Sequence, residues 1–177
     1  NFVFPTGFIL INLQRKTFYK KLYRSHLMSL PSEIRYAKIQ EQLEPSVTEL
    51  NKKKECLKVD WVIPIEFCHT EGTIAHGGTV SFILDASMFF VVDLLNEGKI
   101  GGLSLALNIQ FFNPCPPGKV QAKASVLKSG KNFAFTQSDL IYNGQIMASG
   151  TQQMKLFPKD PASDNSWFTP KKFSIIS

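Results

Sequence analysis

A single carboxylate interrupts a long apolar stretch in the middle of the sequence. Asp85 is the one acidic residue between Glu71 and Asp93, and its direct neighbours are Leu84 and Ala86. Burying a carboxylate is costly unless the group is paired or hydrogen-bonded, so this position favours a general base or a nucleophile. The alternative is a structural Asp at a subunit contact, and the residue type alone does not separate the two.

Two glycines precede this carboxylate at the point where a helix is predicted to begin. Because Gly77 and Gly78 carry no side chain, a substrate carbonyl could approach their backbone N–H groups at the positive end of the helix dipole. Such amides could stabilise the oxyanion that forms when a carbonyl carbon is attacked. His76 directly before them is expected to orient the helix start rather than to act as a base.

The spacing of these groups predicts an assembly of at least two chains. Gly77 and Asp85 are eight residues apart, which corresponds to about 12 Å along a helix. Since both cannot reach one carbonyl carbon from the same chain, a shared substrate requires Gly77 of one subunit and Asp85 of its two-fold mate.

One strand, one long helix and four further strands are predicted to position these residues. Period-two alternation predicts a strand over 55–65, and a broad apolar face predicts a helix over 77–96. The Asn143-Gly144 pair is a strong hairpin signal. An antiparallel sheet wrapped around the apolar helix, an α+β fold, satisfies this order. The other strands are predicted over 103–113, 119–128, 132–142 and 145–157.

Charge divides the sequence into parts of different character. Residues 1–54 hold ten Lys or Arg against four acids, whereas residues 55–177 hold ten of each, so the net charge of +6 lies in the first third. This part is predicted to be a basic, partly helical extension that contacts an anionic membrane surface, an acidic protein or RNA, or is simply solvated. The domain itself is predicted over 55–157, and a coil over 158–177.

Composition excludes several classes of protein. With 44% hydrophobic and 19% charged residues, the chain is too apolar to be disordered as a whole. Three cysteines without a CxxC pair, and only three histidines, argue against a disulfide scaffold and a zinc site, so no metal is predicted. The sequence contains no GxSxG motif, which disfavours an esterase of the α/β-hydrolase type.

A longer pattern surrounds these residues and resembles a known family. The letters EGTIAHGG at 71–78 are followed by Asp85 in the predicted helix and by SLALN at 104–108 in the next predicted strand. Over roughly residues 57–157 the chain resembles the hotdog-fold acyl-CoA thioesterases of the 4-hydroxybenzoyl-CoA and phenylacetate-pathway type, including mammalian members that hydrolyse fatty acyl-CoA. The resemblance implies a hotdog fold, a site at a dimer interface and no cofactor beyond the CoA thioester itself.

The resemblance also implies roles for individual residues. Asp85 would activate water or attack directly, the Gly77 and Gly78 amides would polarise the thioester carbonyl, and Ser104 with Thr70 would position the water or the acyl carbonyl. Strand alternation predicts that Ser104 and Asn108 share one polar face. Thr70 stands where several relatives have an Asn, and it can still donate a hydrogen bond. The residues predicted to bind substrate are Gly78, His69, Asn108, Lys128 and Lys131.

Two functions from different classes follow. The first is hydrolysis of medium- or long-chain fatty acyl-CoA to free acid and CoA by a homodimer or a dimer of dimers, as part of fatty acid metabolism. The second is a catalytically weak or inactive hotdog subunit that serves as a structural component of a large mitochondrial assembly, attached through its basic extension. The acid-poor start with Arg and Lys is typical of sequence near a mitochondrial presequence, so a mitochondrial location is predicted, and otherwise a cytoplasmic one.

Overall fold

The long helix of the protein lies against a seven-stranded sheet. The computed structural model describes residues 38–159 and 174–176 of the 177-residue chain. The order of strands in the sheet is β5-β8-β7-β6-β2-β1-β9, and a separate pair is formed by β3 and β4. The elements are α1 (Lys38–Gln42), β1 (Ser46–Asn51), β2 (Cys56–Ile63), β3 (Cys68–His69), β4 (Ile74–Ala75), α2 (Gly77–Leu95), β5 (Ile100–Phe111), β6 (Gly118–Ser129), β7 (Phe133–Tyr142), β8 (Gln145–Pro158) and β9 (Ser174–Ile176).

This architecture is the predicted α+β hotdog arrangement. Strands β5 to β8 and β2 pair antiparallel with their neighbours, and α2 packs against the same five strands. The turn of the β7–β8 hairpin contains the predicted Asn143-Gly144 pair, and both residues have positive φ angles of 49° and 79°. Positive φ at both central positions matches the twist of a two-residue hairpin turn, which explains why this sequence signal was reliable.

The apolar helix α2 is buried because the sheet covers it. Trp61 of β2 is 1% exposed, its ring stacks on Phe90 at 5.9 Å between centroids, and its Nε1 donates to Ser87 Oγ at 3.1 Å. Among the described helices, α2 alone would by length and apolarity also suit a membrane span, and 50% of that span is buried inside the fold. The core helix of a domain has this character.

The domain begins earlier than the predicted boundary at residue 55. The strand β1 pairs with β2, the side chains of Leu43 and Leu50 are 0% and 2% exposed, and the compact unit starts at Ile39. A register shift between Val47 and Glu49 breaks the period-two pattern of β1, and three lysines, Lys52 to Lys54, occupy the turn that follows. These two features explain why the strand and its turn were assigned to the partly helical extension.

The predicted C-terminal coil over 158–177 is also partly wrong. Ser174–Ile176 forms the strand β9, which pairs in parallel with β1 at the edge of the sheet. Pro158 is the last residue of β8, and residues 160–173 and 177 of that coil lie outside the described residues. The same holds for residues 1–37, which carry most of the predicted basic extension.

Truncation distinguishes the observed domain boundary from the predicted one. Deletion of residues 1–37 is expected to leave the melting temperature of the domain nearly unchanged. Deletion of residues 1–50 removes Leu43, Val47 and Leu50 from the core, which costs about 4.5–9 kcal/mol at about 1.5–3 kcal/mol per side chain, a large part of the about 5–15 kcal/mol that stabilises a typical domain. Thermal unfolding followed by circular dichroism measures both variants, and equal melting temperatures would contradict the boundary at residue 39.

Candidate active site

Asp85 lies on the third turn of α2 and meets two side chains from the sheet. Its Oδ1 accepts a hydrogen bond from Ser104 Oγ at 2.8 Å and another from Gln152 Nε2. Gln152 Nε2 also lies 2.8 Å from Ser104 Oγ, so three polar groups from α2, β5 and β8 form a closed triangle. Asp85 is half-buried and Ser104 is exposed, which leaves the cluster accessible from the open edge of β5.

A bulge in β5 turns Ser104 toward the helix. Ser104 lies opposite the buried Met154, whereas Ala106 lies opposite Gln153, so Leu105 is an extra residue between the two pairs. Because directly opposed residues of antiparallel strands point to the same face, Ser104 shares the α2 side of the sheet with Met154. Past the bulge the alternation is shifted by one residue.

The predicted common face of Ser104 and Asn108 is therefore wrong. Asn108 lies opposite the exposed Thr151 and accepts a hydrogen bond from Gln110 Nε2 at 2.8 Å. It lies on the outer face of the sheet, away from Asp85. Within one chain the structure does not bring Asn108 into the cluster.

The start of α2 carries a second group of predicted site residues. The carbonyl of His76 accepts hydrogen bonds from the N–H groups of Thr79 at 2.9 Å and Val80 at 3.2 Å. The N–H groups of Gly77 and Gly78 have no backbone acceptor within residues 38–159, and both glycines are exposed. They are the free donors that a helix N-terminus offers to an anionic oxygen.

A strained loop lies beside this helix start. His69 Nδ1 and Thr70 Oγ1 are hydrogen-bonded at 2.7 Å. The centroids of the His69 and His76 rings are 5.1 Å apart. Thr70 has a φ of 53°, followed by Glu71 at 57°, and a β-branched residue seldom adopts such a backbone. The hydroxyl of Thr73 holds the turn by donating to the Thr70 carbonyl at 2.6 Å.

A cavity of about 390 Å³ opens next to the helix start. One of its walls contains Cys115, and burial raises the pKa of that thiol to about 11. The thiol therefore stays protonated at neutral pH and is not a nucleophile. The lining is mostly apolar, and its residues are His69, Ile74, Ala75, Gly77, Val80, Phe111, Phe112, Asn113, Pro114, Cys115, Met147 and Ala148.

The predicted site residues thus form two groups on one chain. Gly77 and Asp85 belong to the same helix, and their eight-residue separation corresponds to about 12 Å. The predicted lysines lie elsewhere: Lys128 is exposed near the end of β6, and Lys131 is exposed in the β6–β7 turn. That end of β6 is three strands away from Ser104, about 14 Å at the usual strand spacing.

Two residues of the Asp85 cluster were missed in the sequence. Gln152 is 3% exposed and Thr136 is 0% exposed, and Thr136 Oγ1 lies 3.3 Å from Gln152 Oε1. A signal for Gln152 was present, because period-two counting places it on the same face as Met154 and Leu156. A polar residue such as Gln152 on a face that is otherwise apolar is a reason to look for a buried hydrogen-bond partner.

Comparisons with known proteins identify the family of this chain. A family model for the acyl-CoA thioesterase N-terminal domain matches residues 67–153. Acyl-coenzyme A thioesterase 13 of Homo sapiens and that of Pongo abelii are each 34% identical to this chain over 98 residues, which cover 52% of this chain and 69% of the relative. The chain belongs to the acyl-CoA thioesterases. The predicted membership in this family of thioester hydrolases is confirmed.

Solved structures support the fold. A phenylacetic acid degradation-related protein of Ralstonia eutropha superposes with a TM-score of 0.63 at 20% identity, covering 75% of this chain and 98% of the other. A thioesterase of Haemophilus influenzae superposes with a TM-score of 0.59 at 17% identity, covering 67% and 82%. In the chain described here, no group of three or more His, Cys, Asp or Glu side chains within residues 38–159 and 174–176 is arranged to hold a metal ion.

Proposed function

We propose that this thioesterase hydrolyses medium- or long-chain fatty acyl-CoA to the free acid and CoA, at a site that two subunits form together. The observation that carries this proposal is the Asp85 cluster, in which a carboxylate on an apolar helix is held by Ser104 and Gln152. A purely structural Asp would not require an exposed serine beside an open strand edge.

The Asp85 cluster and the start of α2 together contain the chemical groups that thioester hydrolysis needs. Asp85 takes a proton from water, and the oxygen of that water adds to the thioester carbonyl carbon. The negative charge on the carbonyl oxygen is stabilised by the free amides of Gly77 and Gly78. When the intermediate collapses, the carbon–sulfur bond breaks and the CoA sulfur receives the proton. Direct attack by Asp85 would give a mixed anhydride, which water then hydrolyses.

The open edge of the sheet supports a shared site. Within the described residues β5 has a neighbour on one side only, which is β8. Large apolar side chains lie along this free edge, with Leu103, Leu105 and Phe111 each more than half exposed. An unpaired, apolar edge strand of twelve residues is a template for a second chain, and pairing two copies of β5 gives a two-fold dimer.

One register of that pairing would join the two groups of residues. A two-fold axis at Asn108 would set Ser104 opposite Phe111 of the partner subunit, because the Leu105 bulge takes up one residue. A Cβ on Gly77 would lie 3.4 Å from the Phe111 ring within one chain. The Asp85 cluster of one subunit would then lie beside the helix start of the other, which joins the two groups into one site.

The cavity beside Gly77 supports the proposed acyl group. Val80, Phe111 and Met147 contribute to its apolar wall, which favours a hydrocarbon chain over a short or charged acyl group.

The exposed Lys128 and Lys131 are proposed contacts for the anionic CoA. Their distance from Ser104 suits the far end of a long substrate rather than its thioester.

A panel of acyl-CoAs tests this function. The purified protein is incubated with acetyl-, hexanoyl-, lauroyl- and palmitoyl-CoA, and released CoA is followed with a thiol-reactive dye. The expected result is that kcat/KM rises at least about tenfold from acetyl- to lauroyl-CoA, because each buried methylene contributes about 0.8 kcal/mol. Highest activity on acetyl-CoA would contradict the assignment of the acyl group.

A structural role in a large mitochondrial assembly is the second candidate. It is favoured by the surplus of positive charge in residues 1–54, for which the proposed hydrolysis has no use, and the proposed mitochondrial location rests on the same segment. The panel separates the two functions, since an inactive structural subunit would release no CoA above the buffer rate from any of the four substrates, and a catalytically weak one would release it only slightly faster.

A further inference from the structure

Gln152, a buried residue of β8, donates a hydrogen bond to Asp85. It is 3% exposed, and its neighbours on the α2 side of β8 are Gly150 and Met154. The amide nitrogen contacts Asp85 Oδ1 and Ser104 Oγ. The amide oxygen accepts a hydrogen bond from Thr136 Oγ1 at 3.3 Å. Every polar atom of this buried side chain therefore has a partner.

The chemistry of the partners determines the orientation of the amide. An ionised carboxylate can only accept hydrogen bonds, so the nitrogen of Gln152 must face Asp85. A flipped amide would place its oxygen against the carboxylate oxygen. On the other side, the hydroxyl of Thr136 can donate to the amide oxygen and so holds the side chain in the required orientation.

Both donors bind the same carboxylate oxygen. Ser104 and Gln152 donate to Oδ1 of Asp85, and within residues 38–159 and 174–176 no hydrogen bond is made to Oδ2. Ser104 has a single hydroxyl proton, which is committed to Oδ1. It can still accept a hydrogen bond from water, which would lie beside Asp85.

We propose that Gln152, held by Thr136, is a positioning residue that fixes Asp85 through Oδ1 and leaves Oδ2 as the reacting oxygen. The proposal rests on the proposed role of Asp85 in hydrolysis. Oδ2 takes one proton from the water whose oxygen bonds to the carbonyl carbon, and that proton leaves with the CoA sulfur when the carbon–sulfur bond breaks. No other reactant is needed.

Two substitutions remove the positioning contacts. Gln152→Leu keeps much of the side-chain volume and removes the donors, and it is expected to lower kcat about 30-fold with KM changed less than about twofold, since the contact acts on Asp85 and not on substrate. Thr136→Val should lower kcat about threefold to tenfold. Gln153→Leu, on the opposite face of β8, is the matched control and should stay within about twofold of wild type.

A third substitution gives a readout that loss of packing cannot imitate. In Gln152→Glu the introduced carboxyl shares a proton with Asp85. While protonated, it donates to Oδ1 as the amide does; once it ionises, the donor is lost and two carboxylates repel. The profile of kcat/KM against pH should therefore gain a basic limb that the wild type lacks. His69 and His76 are present in both proteins, so the difference between the two profiles isolates the new carboxyl.

The outcomes separate this inference from the proposed function. Asp85→Asn is measured in parallel, and if it keeps wild-type activity the catalytic role of Asp85 fails. If Asp85→Asn is inactive while Gln152→Leu and Gln152→Glu keep the wild-type kcat and pH profile, the positioning role of Gln152 is overturned alone. Circular dichroism checks folding, and should Gln152→Leu not fold, the pH profile of the similarly sized Gln152→Glu decides.

Discussion

The Asp85→Asn protein is expected to lose at least about 100-fold in kcat for acyl-CoA hydrolysis, the usual effect of removing a general base. Asn has the size of Asp, and its side-chain oxygen can still accept from Ser104 and Gln152, so the packing of α2 should persist. What disappears is the capacity to take a proton from water or to attack the carbonyl carbon. A steady-state assay with lauroyl-CoA and a thiol-reactive dye measures the loss.

Asp139 provides a matched control for this substitution. It is half-buried on β7 and accepts a hydrogen bond from Ser149 on the neighbouring strand, so it resembles Asp85 in type and in having a serine partner. It lies on the outer face of the sheet, remote from α2. Asp139→Asn should keep kcat within about twofold, and an Asp85→Asn enzyme with unchanged kcat and melting temperature would refute the mechanism.

The sequence was informative where a local pattern determined the structure. The helix from Gly77 and the Asn143-Gly144 hairpin were predictable, because apolar periodicity and turn chemistry act over a few residues. Asp85 was conspicuous for the same reason, as a charge within an apolar series.

Features that depend on partners distant in sequence were not predictable in this way. The bulge at Leu105 exists through the register of β5 on β8, and without that register simple alternation placed Ser104 with Asn108. Strand β1 was missed because its own bulge disrupted the period. The role of Gln152 required knowing that α2 crosses β8 at Asp85, which no local pattern contains.

A mixture of two inactive proteins tests whether each site draws on both subunits. In a heterodimer of Gly77→Val and Asp85→Asn chains, one site combines Gly77 from the second chain with Asp85 from the first and is native. The other site carries both defects. Random exchange makes about half of the dimers heterodimers, each with one native site, so activity should return to about a quarter of wild type per total site.

The two substitutions act on different steps of the same reaction. At Gly77 a Cβ would meet the Phe111 ring at 3.4 Å, and the two methyl groups of Val would crowd the path of a carbonyl oxygen to the helix start. Each variant incubated alone provides the control, and native mass spectrometry verifies exchange. If heterodimers form and no activity returns, Gly77 and Asp85 serve one site from the same chain, which their separation of about 12 Å along α2 opposes, and the pairing of β5 about Asn108 is wrong.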